Sequence, residues 1–211
     1  MASKRHLLDG VKLYVIVDAA ACGGRDPAQV AREAVSGGAD SIQWRAKTWS
    51  MQERWRVAQR IAEVVRPTSV LFIINDHAEL ALAVGADGVH VGQEDLPLAV
   101  VRRLVGADCL IGRSTHSLEQ AVAAQAEGAD YLGVGPVFAT PTKPDYRAVG
   151  PELVEAVAAR VTIPFVAIGG IDQQNLPLVL SRGATRVAVV RAVTGAPDVR
   201  AAAHALKTML T

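Results

Sequence analysis

Eight short runs rich in Val and Ile recur along the chain, and a longer stretch with helical patterning follows each of them. The runs fall at residues 13–17, 41–44, 70–74, 88–91, 110–111, 131–134, 165–168 and 186–190. Brief, β-branched and without polar alternation, they read as strands buried on both faces, the habit of an all-parallel sheet. Between them, helical patterns run at 27–35, 50–65, 78–84, 97–105, 118–126, 151–159, 176–181 and 198–209. Asp26 stands as N-cap before Pro27, and the stretch 50–65 separates its charged residues from Val, Ile and Ala. Eight βα units in 211 residues leave little room for an open, doubly wound sheet. Closure into a single α/β domain, a (β/α)8 TIM barrel near the short end of its size range, fits better. Residues 1–10 precede the first unit as a poorly ordered N-terminal extension.

A recurring triplet supports the repeat. Gly-Ala-Asp occurs at 38–40, 85–87, 106–108 and 128–130, and Gly-Ala-Thr at 183–185, each between a helix and the next strand. Glycine closes the helix in a left-handed turn, alanine packs, and the polar residue opens the strand. In a barrel these turns lie on the structural, N-terminal face.

Hydrophobic residues make up 50% of the chain and aromatic ones only 4%, so Ala, Val, Leu and Ile must build the core. A net charge of +1 offers no global field for nucleic acid or an anionic membrane, so any anion site has to be local. Cys22 and Cys109 have neither metal-ligand nor redox spacing and read as reduced thiols. No leader-like or membrane-spanning run is visible, and the cytoplasm is the expected compartment. A homo-oligomer is left open.

Polar residues gather where the strands end, the active-site face of such barrels. Alternation places Gln43, Arg45 and Lys47 on one side of the second strand end, a clamp suited to a polyanion. Asp76 follows Asn75 after strand three, and Asp95 follows strand four; two carboxylates there suit Mg²⁺ together with phosphate oxygens. Asp95 could instead cap the next helix. His90 is expected to point into the barrel in a hydrogen-bonded, structural role. Ser114, without a partner base, reads as a hydrogen-bonding group. The long stretch 136–150 carries Thr140, Thr142 and Lys143, which can close over a phosphate. Gly169 and Gly170 after strand seven, with Val190 and Arg191 after strand eight, stand where this fold usually binds phosphate.

Taken together, Gln43-x-Arg45-x-Lys47, Asn75-Asp76, His90-x-Gly92-Gln93-x-Asp95, Gly112-x-Ser114-x-His116, Thr140-x-Thr142-Lys143 and Ile168-Gly169-Gly170-Ile171 occur in order. In this the chain resembles the thiamine-phosphate synthase family over nearly its whole length. The resemblance implies a transferase of thiamine biosynthesis. It would join 4-amino-2-methyl-5-hydroxymethylpyrimidine diphosphate to 4-methyl-5-hydroxyethylthiazole phosphate and release pyrophosphate. It implies that Gln43, Arg45, Lys47, Asn75, Ser114 and Lys143 hold the pyrimidine diphosphate and that Asp76 and Asp95 bind Mg²⁺. Thr140, Thr142, Gly170, Val190 and Arg191 would hold the thiazole phosphate. Catalysis would fall to Lys143, Arg45, Lys47 and Ser114, since departure of pyrophosphate needs charge neutralisation more than a nucleophile. Ala46, His77 and Arg191 depart from the family's usual residues; Arg191 either adds its side chain to the phosphate grip or leaves only backbone. Rival readings are a thiazole tautomerase, another phosphate-barrel enzyme, and a non-catalytic phosphate-binding barrel. The first two would need an acid–base residue rather than this clamp.

Overall fold

A computed structural model of the chain describes residues 4–142 and 147–211. Eight parallel strands close in sequence order into one barrel: β1 (Leu13–Asp18), β2 (Ser41–Arg45), β3 (Leu71–Asn75), β4 (Gly88–Val91), β5 (Leu110–Thr115), β6 (Tyr131–Val134), β7 (Phe165–Ile168) and β8 (Val187–Val189). The helices are α1 (Pro27–Ser36), α2 (Met51–Val65), α3 (Ala78–Val84), α4 (Leu98–Val105), α5 (Leu118–Ala126), α6 (Pro151–Arg160), α7 (Leu176–Ser181), α8 (Arg191–Thr194) and α9 (Val199–Met209). The single (β/α)8 barrel read from the alternation is therefore the fold.

Local chemistry starts these helices where the sequence places them. Asp26 accepts the Ala28 N–H ahead of Pro27, and Ser50 and Glu53 cap α2 reciprocally. Three features were not anticipated. Residues 4–10 form a 3-10 helix, and Leu8 is buried with Val11 in the inner cluster. Strand β5 runs on to Thr115, since Ser114 and Thr115 stay paired with Gly133 and Val134 of β6. Helix α8, one turn after β8, has no periodic signal long enough to announce it.

The two faces of each strand serve two cores. Leu13, Val15 and Val17 join Ile42, Trp44, Phe72, Ile74 and the helices in an outer layer. Tyr14 and Ile16 join Leu71, Ile73, Leu110, Tyr131, Val166 and Ala188 inside the barrel. Period-two alternation thus decides which residues can reach the mouth. The Gly-Ala-Asp turns lie at the opposite end. Gly85 ends α3 at φ 66°, and the aspartates tie down strand starts. Asp40 accepts from Lys12 N and Leu13 N, both at 2.8 Å, and receives Lys207 of α9 at 2.5 Å. Asp87 accepts from Phe72 N and Asp130 from Ile111 N.

Both cysteines are buried thiols. Burial pushes the Cys22 thiol up from its ordinary 9.0 to about 11. Burial also raises the phenols of Tyr14 and Tyr131 above their ordinary 10.0. All three groups therefore favour the folded state at pH values below their unfolded titrations, and that contribution is lost as the pH rises through the folded ones. Resistance to urea is expected to weaken from pH 9 to 11, with Cys22 contributing part of the loss. Cys22→Ala should flatten the part of that slope between pH 9 and 10; an unchanged slope there would assign the loss elsewhere.

Candidate functional site

A cavity of about 350 Å³ opens at the C-terminal mouth of the barrel. Its floor is Tyr14, Gln43, His90 and Gly133, and its walls carry Arg45, Asn75, Ser114, Thr140, Thr142, Gly170, Val190 and Arg191. Nine of the residues assigned to substrate, catalysis or metal thus share one space. Three others stand outside it. Strand β2 ends at Arg45, so the alternation that aligned Lys47 with Gln43 no longer governs it. Lys47 instead turns to Asp76, Nζ to Oδ2 2.7 Å, and the pair lines a small depression beside the cavity, sharing Asn75 with it. Asp95 lies in the turn before α4 and accepts the Gly92 N–H at 2.6 Å; the N-cap of α4 is Pro97, so helix capping is not its role. Lys143 lies outside the described residues.

Arg45 is held from below. Its guanidinium pairs with Asp18 at the end of β1, a carboxylate that is 5% exposed and also accepts from Ala20 N and Ala21 N. Arg54 of α2 donates to the carbonyls of Ala46 and Lys47 and meets His77 Nε2 at 2.8 Å. It thereby fixes the turns that carry Lys47 and Asp76. Asp76 has a φ of 63°, the one non-glycine residue with positive φ among the described residues. Aspartate tolerates that region better than most side chains, at some cost.

His90 does point inward, with both ring nitrogens hydrogen-bonded: Nδ1 to the Tyr131 hydroxyl at 3.1 Å and Nε2 to Ser114 Oγ at 3.0 Å. Gln43 donates to the Tyr14 hydroxyl at 2.7 Å. Tyr14, Tyr131 and Asp18 went unremarked in the sequence. Their signal was available: Tyr14 alternates inward with Ile16, and Asp18 closes the one strand whose polar end was passed over.

The second half of the mouth is a zipped pair of loops. Val137 N donates to Ile168 O at 2.8 Å and Phe138 N to Gly169 O at 2.9 Å. A Cβ on Gly169 would lie 2.4 Å from Pro136 Cα, and one on Gly170 2.8 Å from Ala139 O. Both glycines have positive φ, so close approach of the 136–139 segment, besides any approach of an anion, demands them. Thr140 and Thr142 follow directly, with Thr142 N donating to Thr140 Oγ1 at 3.3 Å.

Asp76 and Asp95 are the carboxylates that could hold Mg²⁺. Each already accepts one donor through Oδ2, and among the described residues no hydrogen bond engages Oδ1 of either. Mg²⁺ takes carboxylate oxygens together with water and phosphate, so each could offer one anionic oxygen to that hard ion.

These features define a (β/α)8 barrel with a polar cavity at its C-terminal mouth. The chain belongs to the thiamine monophosphate synthase (TMP-TENI) family, which it matches over residues 13–193. It is 46% identical over 207 residues to a thiamine-phosphate synthase of Chloroflexus aurantiacus, covering 98% of this chain and 95% of that protein. It is 42% identical over 210 residues to one of Coprothermobacter proteolyticus, covering 100% of both. In three dimensions it resembles the thiamine phosphate pyrophosphorylase of Pyrococcus furiosus with a TM-score of 0.88, at 39% identity, over 98% of this chain and 96% of that one. Among the described residues no helix is long and apolar enough to cross a membrane.

Proposed function

We propose that this chain is a thiamine-phosphate synthase, joining the pyrimidine diphosphate to the thiazole phosphate with release of pyrophosphate. The observation that carries the reading is the cavity itself. Gln43, Arg45, Asn75 and Ser114 face a second set, Thr140, Thr142, Gly170, Val190 and Arg191, across one space. Each relative named above also bears that activity in its name. The tautomerase reading draws no comparable support.

In this reading the pyrimidine diphosphate occupies the β2–β5 side, where Arg45 lines the cavity and neutralises the diphosphate, and Lys47, beside the cavity, is assigned to it from the family resemblance. Lys143 is assigned the same task from the family resemblance. The methylene C–O bond breaks with its electron pair leaving on pyrophosphate, and a pyrimidinylmethyl cation results. The thiazole phosphate, held by Thr140, Thr142 and the amides of Gly170, Val190 and Arg191, then gives its ring nitrogen lone pair to the methylene carbon. One C–O bond is exchanged for one C–N bond with no proton transfer, so no general base is required. Asp76 and Asp95 would hold Mg²⁺, which supplies charge neutralisation for the leaving group when bound. Burial of Gln43 and Tyr14 beneath the cavity limits water at the cation, which would otherwise capture it.

The direct test mixes both substrates, protein and Mg²⁺ and follows thiamine phosphate. No product would refute the function, and product unaffected by EDTA would refute the metal. Lys143→Ala is expected to lower the single-turnover chemical rate while leaving thiazole phosphate affinity nearly unchanged. The reverse ordering would remove Lys143 from the leaving-group role.

A further inference from the structure

Five polar side chains from five strands form one continuous hydrogen-bonded line across the barrel, beneath the cavity. Gln43 Nε2 lies 2.7 Å from Tyr14 Oη, which lies 3.1 Å from Tyr131 Oη. Tyr131 Oη lies 3.1 Å from His90 Nδ1, and His90 Nε2 lies 3.0 Å from Ser114 Oγ. Gln43, Tyr14 and Tyr131 are 2%, 3% and 1% exposed, so little of the line meets water at the Gln43 end, on the cavity floor. Ser114 is less buried and lines the cavity.

Hydroxyl and imidazole groups in such a line can order their protons in either of two directions, and the end group decides which. The Gln43 amide nitrogen can only donate. Its proton occupies a lone pair of Tyr14 Oη, so the Tyr14 hydroxyl proton turns to Tyr131. Tyr131 in turn donates to His90 Nδ1, and His90 carries its own proton on Nε2, which it donates to Ser114 Oγ. Ser114 is then left with a hydroxyl proton directed into the cavity. Both phenols are held protonated by burial, which keeps the links intact. The barrel also makes room for the line: a Cβ on Gly112 would lie 2.2 Å from Tyr131 Cζ and 2.4 Å from His90 Nδ1.

We propose that Tyr14, Tyr131 and His90 are positioning residues, a one-way hydrogen-bond relay from Gln43 that fixes Ser114 as a donor. The relay selects a ligand that presents an acceptor, a phosphate oxygen or a bare ring nitrogen, at Ser114, and disfavours one presenting a donor there. Assignment of that ligand as the pyrimidine diphosphate rests on the proposed function; the proton order does not.

Neutron diffraction from crystals of the deuterated, full-length protein tests the order directly. Deuterons are expected on Tyr14 Oη toward Tyr131, on Tyr131 Oη toward His90 Nδ1, and on His90 Nε2. A deuteron on His90 Nδ1 overturns the relay, whatever the protein catalyses. Calorimetric titration with the pyrimidine diphosphate and Mg²⁺ tests its consequence. In His90→Gln, the amide oxygen can accept from Tyr131 and the amide nitrogen donate to Ser114, so affinity should stay within about threefold. In His90→Leu it should fall about tenfold, as for one lost hydrogen bond. Thiazole phosphate affinity should move in neither. Equal losses in both variants, or none in His90→Leu, overturn the relay's role in recognition. Failure of the wild type to bind the diphosphate refutes the function instead and leaves the diffraction result standing.

Discussion

Asp18→Ala is expected to destabilise the protein by about 3–5 kcal/mol, the loss seen when one member of a buried ion pair is removed. Three observations converge on this carboxylate. It lies almost wholly out of water, it pairs with Arg45, and it accepts two backbone N–H groups at the β1 exit. Alanine would leave a guanidinium only 14% exposed without its counter-charge. The same substitution should weaken diphosphate binding, because Arg45 would no longer be held toward the cavity it lines. Denaturant unfolding and diphosphate titration of one variant read both effects. A loss below about 1 kcal/mol, the range of exposed pairs, would show that Asp18 is not the anchor of Arg45.

Asp76→Gly is expected to lower Mg²⁺-dependent turnover by two orders of magnitude or more, since charge stabilisation by a bound metal is worth several kcal/mol. It should do so without lowering the melting temperature. The backbone at Asp76 sits at φ 63°, where a non-glycine residue carries roughly 1–2 kcal/mol of strain. Glycine removes that strain, at the cost of a more flexible unfolded chain. The ion pair lost with Lys47 involves an ammonium that is 54% exposed, so it contributes little. A position that grows no less stable as it loses activity is one whose strain is kept for function. If Asp76→Gly melted well below the parent, Asp76 would be a structural residue, and the metal assignment would lose its best support.

The barrel was readable before any coordinates because its signals are local and repeated. Val15, Val17 and Ile42 need two buried faces, and Pro27, Ser50 and Gly85 mark helix ends by backbone chemistry that works within four residues. Strand-end polarity likewise located most of the cavity, from Gln43 and Arg45 to Gly170 and Arg191. Reading by alternation failed for Lys47 because the strand stops two residues earlier, and once the chain turns, the period of two ceases to apply. Tyr14 and Tyr131 were hidden for a different reason. An inward tyrosine looks like any other core residue until the hydroxyl of its partner, 117 positions away, is known to be 3.1 Å off.

The sequence by itself therefore determined the architecture and the set of polar residues that could meet at the mouth. Those properties follow from periodicity, turn chemistry and the parallel order of the strands. Only the tertiary structure decided how that set is partitioned. Neighbouring strands in register set Asp18 against Arg45 and Lys47 against Asp76, and closing the barrel brings β1 beside β8. It also joins Gln43 to Ser114 through three intervening side chains. Such contacts depend on distances between residues remote in the chain, which no local pattern encodes.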